Sequence, residues 1–175
     1  MPSTFLKSEA LPISNGRPTQ FFLTTAGNGT GVYNNNVNYS AAQTDIFYTA
    51  TSVYDIYTFL VVISDNANFN QTVYGAIAGG LTNGIKVFIQ PFGQAEIPLL
   101  SGVAFKQNYE WLAITEHTNL SSFAGLAQTL TIGFDITFDY GKPINMNVGD
   151  KFIVRLNDDF STLVSHTFGL RGVKY

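Results

Sequence analysis

The sequence predicts an all-β protein, an antiparallel β-sandwich of two sheets, and three observations lead to that prediction. Charged residues make up only 12% of the chain, while Asn, Thr, Gly and aromatic residues are abundant, which suits strand faces and turns better than helix surfaces. Apolar and polar residues alternate without a slip over residues 130–140, and this period of two gives a strand one apolar and one polar face. Turn-forming pairs, Asn15-Gly16 and Asn83-Gly84 among them, separate the candidate strands.

Eight strands are predicted in chain order. Residues 57–64 are almost continuously apolar, as expected of a central strand covered on both faces, and Pro91 favours an end to its strand. Residues 102–128 fit a helical stripe as well as a strand, and we favour a strand near 110–115 followed by a long loop. The predicted strands cover residues 20–25, 45–52, 57–64, 73–78, 84–92, 130–140, 151–156 and 165–173.

The strands and their connections also predict the architecture. Many short strands with no helix between them indicate two packed sheets or a barrel. Long, variable connections favour a jelly roll over an immunoglobulin-like sandwich. The Cys…Trp…Cys spacing of the immunoglobulin fold is also missing. Residues 1–19 have too little apolar periodicity to fold alone, so we predict an extended N-terminal arm there and a single β-sandwich domain over residues 20–175.

Composition limits the classes of function. The 9 basic and 12 acidic residues are scattered and give a net charge of −3, so the clustered Lys and Arg that bind a phosphate backbone are missing. The absence of cysteine excludes disulfide scaffolds and thiol nucleophiles. No apolar run approaches the length of a membrane span, and the first residues lack the apolar core of a secretory signal. We therefore expect a soluble protein with neither nucleic acid nor membrane as partner.

No catalytic, metal or cofactor site is predicted. The chain has no Gly-x-Ser-x-Gly elbow, phosphate loop or HExxH pattern. On strands, Glu110 and Glu116 would lie about 20 Å apart and Asp135 and Asp139 about 13 Å, whereas glycoside hydrolysis needs roughly 5–10 Å. His166 alternates onto an apolar face and is expected to be buried or at an interface. The Asn-Asp-Asp triplet at 157–159 is interpreted as a turn rather than a calcium site.

Aromatic residues are unusually frequent, with 15 Phe, 9 Tyr and 1 Trp. Tyr is preferred where one end of a side chain is packed and the other is wet, as at subunit interfaces and sugar platforms. Tyr also favours strands whatever the function, so both interpretations stay open. The candidate interface residues are Tyr33, Tyr39, Tyr48, Tyr54, Tyr57 and Trp111.

The C-terminal part of the chain resembles a known class of proteins. Residues 147–161 (NVGDKFIVRLNDDFS) and 166–172 (HTFGLRG) resemble the closing hairpin of small β-sandwich virion proteins of tailed bacteriophages. These include jelly-roll capsid decoration, or cement, proteins and related fibre or spike modules. The resemblance covers about the last seventh of the chain and includes no catalytic motif.

The resemblance implies a structural role. It implies a non-enzymatic capsid decoration subunit, made in the host cytoplasm and placed on the capsid surface, that forms a homotrimer or another symmetric oligomer and clamps the major capsid protein. The first alternative is a carbohydrate-binding or receptor-binding module of a tail fibre or other attachment device, with Trp111 and exposed Tyr as stacking platforms. A small β-sandwich hydrolase is the second alternative, disfavoured by the carboxylate spacing.

Overall fold

The protein forms two antiparallel β-sheets that pack face to face, which confirms the predicted β-sandwich. The computed structural model describes residues 16–30, 34–65, 74, 77, 79–99, 128–137 and 141–175. Within these ranges, no helix has both the length and the hydropathy that a membrane crossing requires. The strands described are β1 (Arg17–Phe22), β2 (Thr44–Thr49), β3 (Tyr54–Asp65), β4 (Lys86–Gln90), β5 (Ile97–Pro98), β6 (Gln128–Asp135), β7 (Ile144–Met146), β8 (Lys151–Leu156) and β9 (Ser165–Lys174).

The strand pairs are nested. One sheet has the order β1-β9-β3-β6, with β7 continuing the row of β6 beside β3, and the other has the order β2-β8-β4-β5. Apart from β7, the first strand pairs with the last (β1 with β9), the second with the second-last (β2 with β8), and so inward to β3 with β6 and β4 with β5. The pairing is that of one long antiparallel ribbon whose successive pairs lie alternately in the two sheets.

Aromatic rings fill the space between the sheets. The ring of Phe59 in β3 lies 5.4 Å from that of Phe152 in β8, and it stacks on Phe168 of β9 at 5.9 Å. Alternation explains how the strands supply these groups: in β2, Ile46 and Tyr48 are buried while their neighbours along the strand are partly exposed. One face of each sheet therefore makes the core, as the period of two requires.

A β-bulge interrupts the central strand β3. The register against β9 shifts just after Ile56, and Tyr57 is the extra residue. The bulge lets Ile56 and Phe59 both point into the core although they are three positions apart. Opposite the bulge lies Gly172, where an added Cβ would overlap the carbonyl oxygen of Asp55. Only a glycine lets the two backbones approach this closely.

Two strands at edges of the sandwich, β2 and β1, have features that are typical of edge strands. The outer edge of β2 is covered by a short stretch of chain, because Thr24 and Phe47 exchange backbone hydrogen bonds of 3.0 and 2.9 Å and Thr49 donates to the Gly27 carbonyl. Strand β1 contains Pro18 and pairs with β9 alone among the described strands. Proline has no N–H for a ladder and is tolerated at such an edge.

Most predicted strands are confirmed, with shifted ends. Strand β8 has the predicted bounds, and β9 extends the prediction by one residue. Strand β3 begins three residues earlier than predicted, and β1 also begins three residues early, at Arg17. The last three residues of the predicted N-terminal arm therefore belong to the sheet. The rest of the arm, residues 1–15, lies outside the described residues.

Two strand predictions are wrong in part, and two strands were not predicted. Tyr74 and Ile77 lie outside any strand and are joined by a turn-like backbone hydrogen bond of 3.2 Å. The alternation at 130–140 does not keep the chain extended, because β6 ends at Asp135 and the next two residues form a helical turn. Strands β5 and β7 have two and three residues, too few to show a period. The strand favoured near 110–115 lies outside the described residues.

Candidate functional site

The predicted interface tyrosines are mostly part of the core. Tyr39, Tyr48 and Tyr54 are 9%, 5% and 3% exposed, so their rings belong to the core of the single chain, and a contact with a partner stays a prediction for them. Strand alternation turns Tyr48 of β2 and Tyr54 of β3 inward, whereas Tyr39 lies outside the strands. Tyr57, at the bulge, is half-buried. The two other candidates, Tyr33 and Trp111, lie outside the described residues.

The buried tyrosine hydroxyls satisfy one another. Tyr48 donates to the Tyr54 hydroxyl at 2.9 Å, and Thr51 lies 3.2 Å from that oxygen. The ring of Phe21 stacks on Tyr48 with centroids 3.8 Å apart. Burial, helped by the hydrogen bond with Tyr54, raises the pKa of Tyr48 to about 12. This phenol stays neutral under ordinary conditions, and the cluster is a packing unit that joins β1, β2 and β3.

His166 lies in the core, and a buried position is one of the two that the sequence predicts for it. Its ring stacks on Phe160 at 4.6 Å and meets Phe168 edge-on at 4.5 Å, and its Nε2 shares a hydrogen bond of 2.5 Å with the Tyr74 hydroxyl. Full burial lowers the pKa of His166 to about 3. Its Nδ1 and the amide of the fully buried Asn35 have no hydrogen-bond partner among the described residues.

The carboxylate of Asp158 holds a turn in place. It is 5% exposed and accepts the backbone N–H groups of Thr82, Asn83 and Gly84 at 2.8 to 3.1 Å. Three converging amides form an anion-binding concavity, and here the anion is a side chain from across the sandwich end. Its neighbour Asp159 accepts exposed hydrogen bonds from Ser161 and from the Asn38 amide, and those from Ser161 lower its pKa.

Asp150 performs the same task at the opposite end of the sandwich. One carboxylate oxygen accepts the N–H of Phe92 at 2.8 Å, and the other accepts the N–H of Asn147 at 2.7 Å. The Asp150 carbonyl also accepts the N–H of Ala50, and Gly149 donates to the Ala50 carbonyl. One residue thus connects three turns: 50–53 between β2 and β3, 91–96 between β4 and β5, and 147–150 before β8.

These turns display apolar side chains. Phe92 is 77% exposed and Val148 is 63% exposed. The C-terminal Tyr175, 50% exposed, lies beside Val53, because its N–H donates to the Val53 carbonyl at 3.0 Å. We call these four residues the apolar tip: Val53, Phe92, Val148 and Tyr175. Ile97 of β5, 56% exposed, lies five residues beyond Phe92. Sequence analysis missed this surface, although its members stand in or beside turns.

A polar cleft lies at the other end of the sandwich, near Asp158. It has a volume of about 510 Å³ and is lined by the apolar side chains of Ile77 and Leu81 and by hydroxyl, amide and carboxylate groups. The polar lining residues are Ser40, Thr82, Asn83, Asp158, Asp159 and Thr162. Its volume falls within the range of small-molecule sites.

The outer face of the sheet that contains β8 carries one ion-pair network. Arg155 binds Asp45 through two nitrogens at 2.7 and 2.8 Å and Glu96 at 2.9 Å, and its guanidinium lies 4.6 Å above the Phe88 ring. The hydrogen bonds to Asp45 raise the pKa of Arg155. The group joins β2, β8 and the loop before β5, so its evident role is to hold three parts of the chain together.

The described ranges hold no group of three or more His, Asp and Glu residues placed to bind a metal ion. Of the four acidic residues weighed for hydrolysis, Asp135 is the last residue of β6, and Glu110, Glu116 and Asp139 lie outside those ranges. No protein-family model matches the chain, and a search of curated proteins finds no match.

Proposed function

We propose that the protein is a jelly-roll structural subunit of a virion, a capsid decoration protein of the kind found in tailed bacteriophages. The observation that carries the proposal is the strand order, β1-β9-β3-β6 against β2-β8-β4-β5. Apart from the short β7, the strands form nested pairs that lie alternately in the two sheets, which is the arrangement expected of a jelly roll, a fold used by viral capsid and lectin domains. Because a fold alone does not fix a function, the resemblance of residues 147–161 and 166–172 to virion proteins is the second support.

On this proposal the protein works through contacts rather than chemistry. Three buried ionisable groups within the described ranges are engaged in the fold: Asp158 and Asp150 bind backbone amides, and His166 is enclosed by rings. The subunit would sit on the capsid surface as a symmetric homo-oligomer, with a trimer expected, and would clamp neighbouring copies of the major capsid protein. It requires no cofactor.

The test is whether the protein is found on virus particles. Particles released from cells that produce the protein would be banded in a density gradient and probed with an antibody raised against the purified chain. We expect the protein to co-sediment with DNA-filled particles and the antibody to label the capsid surface. Absence from the particles, or label confined to the tail, would contradict a decoration role.

A carbohydrate-binding module is the second candidate, and the polar cleft favours it. Its hydroxyl and amide groups, among them Ser40, Asn83 and Thr162, line the cleft together with apolar side chains, and sugar recognition uses such a mixture. A glycan array separates the two candidates. Saturable binding that is lost in Asn83→Ala but kept in Gln94→Ala, an exposed amide at the opposite end, would favour the attachment role, whereas no binding would favour decoration.

A further inference from the structure

We propose that the apolar tip is the surface through which this protein binds a second copy of itself. The inference rests on the proposed function, since it names a surface for symmetric self-association; a contact made by the same patch on both copies joins two subunits, so it predicts a dimer rather than a trimer. Four of the seven large hydrophobic residues that are exposed within the described ranges belong to the tip. They come from four separate segments of the chain, which Asp150, through its carboxylate and its carbonyl, and the Val53–Tyr175 hydrogen bond bring to one end.

The size of the tip fits the centre of a protein interface. Its four side chains expose on the order of 400 Å², within the range of the largest apolar patch on a typical monomer, and such patches are often functional. A stable interface buries about 800 Å² on each partner, with an apolar centre and a polar rim. Thr51, Gln94 and Asn147, which are exposed polar residues of the same turns, supply that rim.

The absence of exposed charge in these three turns favours an identical partner. Turns 50–53 and 147–150 contain one ionisable residue, Asp150, which is 7% exposed and whose two carboxylate oxygens both accept backbone hydrogen bonds. In turn 91–96, Glu96 is bound to Arg155. When two copies meet through the same patch, every charge on it faces itself or a neighbour of the same sign, and like charges are costly there. The three turns are free of that obstacle, and the charged groups next to Tyr175, which are Asp55 and the exposed Lys174, have opposite signs.

The tip is also held in its exposed conformation before any partner binds. Gly149, with φ of 92°, brings its backbone against the Phe92 ring, where an added Cβ would lie 2.8 Å from Cδ2. The hydroxyl of Tyr175 donates to Asp55 at 2.8 Å, and Ser52 donates to the Tyr175 carbonyl. Side chains that are already ordered lose little conformational freedom on binding, so even a small apolar patch can give a stable contact.

The test compares two matched pairs of substitutions. The tip variant combines Phe92→Ser with Val148→Ser. The control combines Val37→Ser with Val164→Ser, which removes two exposed hydrophobic residues, 47% and 40% exposed, at the opposite end. Sedimentation equilibrium from 1 to 500 µM would be run on the full chain. We expect the natural protein and the control to associate above the 19.1 kDa monomer, and the dissociation constant of the tip variant to rise at least tenfold.

The outcomes separate this inference from the proposed function. Oligomers that survive the tip substitutions, or a natural protein that stays monomeric over the whole range, would overturn the tip as a self-contact, while the gradient experiment still decides the virion role. Association through the tip by a protein that is missing from particles would support the inference and contradict the decoration role. Circular dichroism spectra of both variants would show that each is folded.

Discussion

At the scale of single residues, buried polar groups of this protein are placed by tertiary contacts. Asp158 and Asp159 are adjacent and chemically identical, yet one accepts three backbone N–H groups from residues 82–84 and the other is exposed. Their turn was predictable, because Asn and Asp favour turns. The sequence does not predict which of the two carboxylates binds the backbone amides of residues 82–84, because these donors lie more than 70 positions away in the chain.

His166 gives a prediction about pH. Its folded-state pKa is about 3, whereas an unfolded histidine has a pKa of about 6.5. Above pH 6.5 the ring is neutral in both states and contributes no pH dependence. As the pH falls below 6.5, the unfolded chain binds a proton that the folded protein does not, so the free energy of unfolding decreases, by at most about 1.4 kcal/mol per pH unit from this residue.

Two measurements check this. In NMR spectra recorded from pH 8 to 4.5, the ring signals of His166 should not titrate. In urea unfolding, the natural protein and the control His117→Gln should lose stability between pH 7 and 5, and His166→Gln should lose less. A ring that titrates near pH 6.5 would show that His166 reaches water and would contradict its burial.

At the scale of elements, the sequence pattern located strands better than it located their ends. The run at 57–64 lies within β3, whose side chains pack on both faces. The alternation at 130–140 was a stronger signal, yet β6 ends at Asp135. Alternation predicts which residues can face a core, but it does not predict where the hydrogen-bonded ladder ends. The bulge at Tyr57 had no sequence signal of its own. Only the pairing of β3 with β9 reveals it.

The close approach at that bulge leads to a prediction with an internal control. In Gly172→Ala the new Cβ would meet the Asp55 carbonyl, whereas in Gly169→Ala its nearest neighbours, backbone and side chain, lie at 3.5 to 3.9 Å. Both glycines are in β9. We expect Gly172→Ala to reduce the free energy of unfolding by about 2–4 kcal/mol and Gly169→Ala to change it by less than about 1 kcal/mol.

Urea unfolding of the two variants measures the difference. Equal effects would mean that the backbones at the bulge separate at little cost. A shift confined to Gly172→Ala would support the view that the bulge fixes the register of the central strand pair.

At the scale of the whole molecule, the nested pairing gives the first and last strands adjacent places. Strand β1 pairs with β9, and Phe21 of β1 contributes to the core through its stack on Tyr48. The chain therefore closes its sandwich with residues that are about 150 positions apart, and each end depends on the other. The same nested pairing brings the turns that form the apolar tip to one end of the sandwich.

Truncation tests this closure. A chain lacking residues 1–15 keeps all of β1 and should retain cooperative thermal unfolding. A chain lacking residues 1–22 loses the strand and Phe21, which leaves β9 with an open edge and the core with a gap, so we expect it to unfold or aggregate. Circular dichroism melting curves distinguish the two. If the shorter deletion also abolishes cooperative unfolding, the segment before Gly16 is part of the folded core.

The sequence by itself determined the class of fold, because composition, turn residues and a period of two are local properties that each strand displays separately. It also predicted that His166 is buried or at an interface, because strand alternation places this residue on an apolar face. Tertiary structure decided how the strands pair, which tyrosines are enclosed and which hydrophobic residues stay outside. Phe92 and Val148 look unremarkable in their turns, and they form one surface only because Asp150 binds the two turns together. Such contacts join distant positions, and no local pattern encodes them.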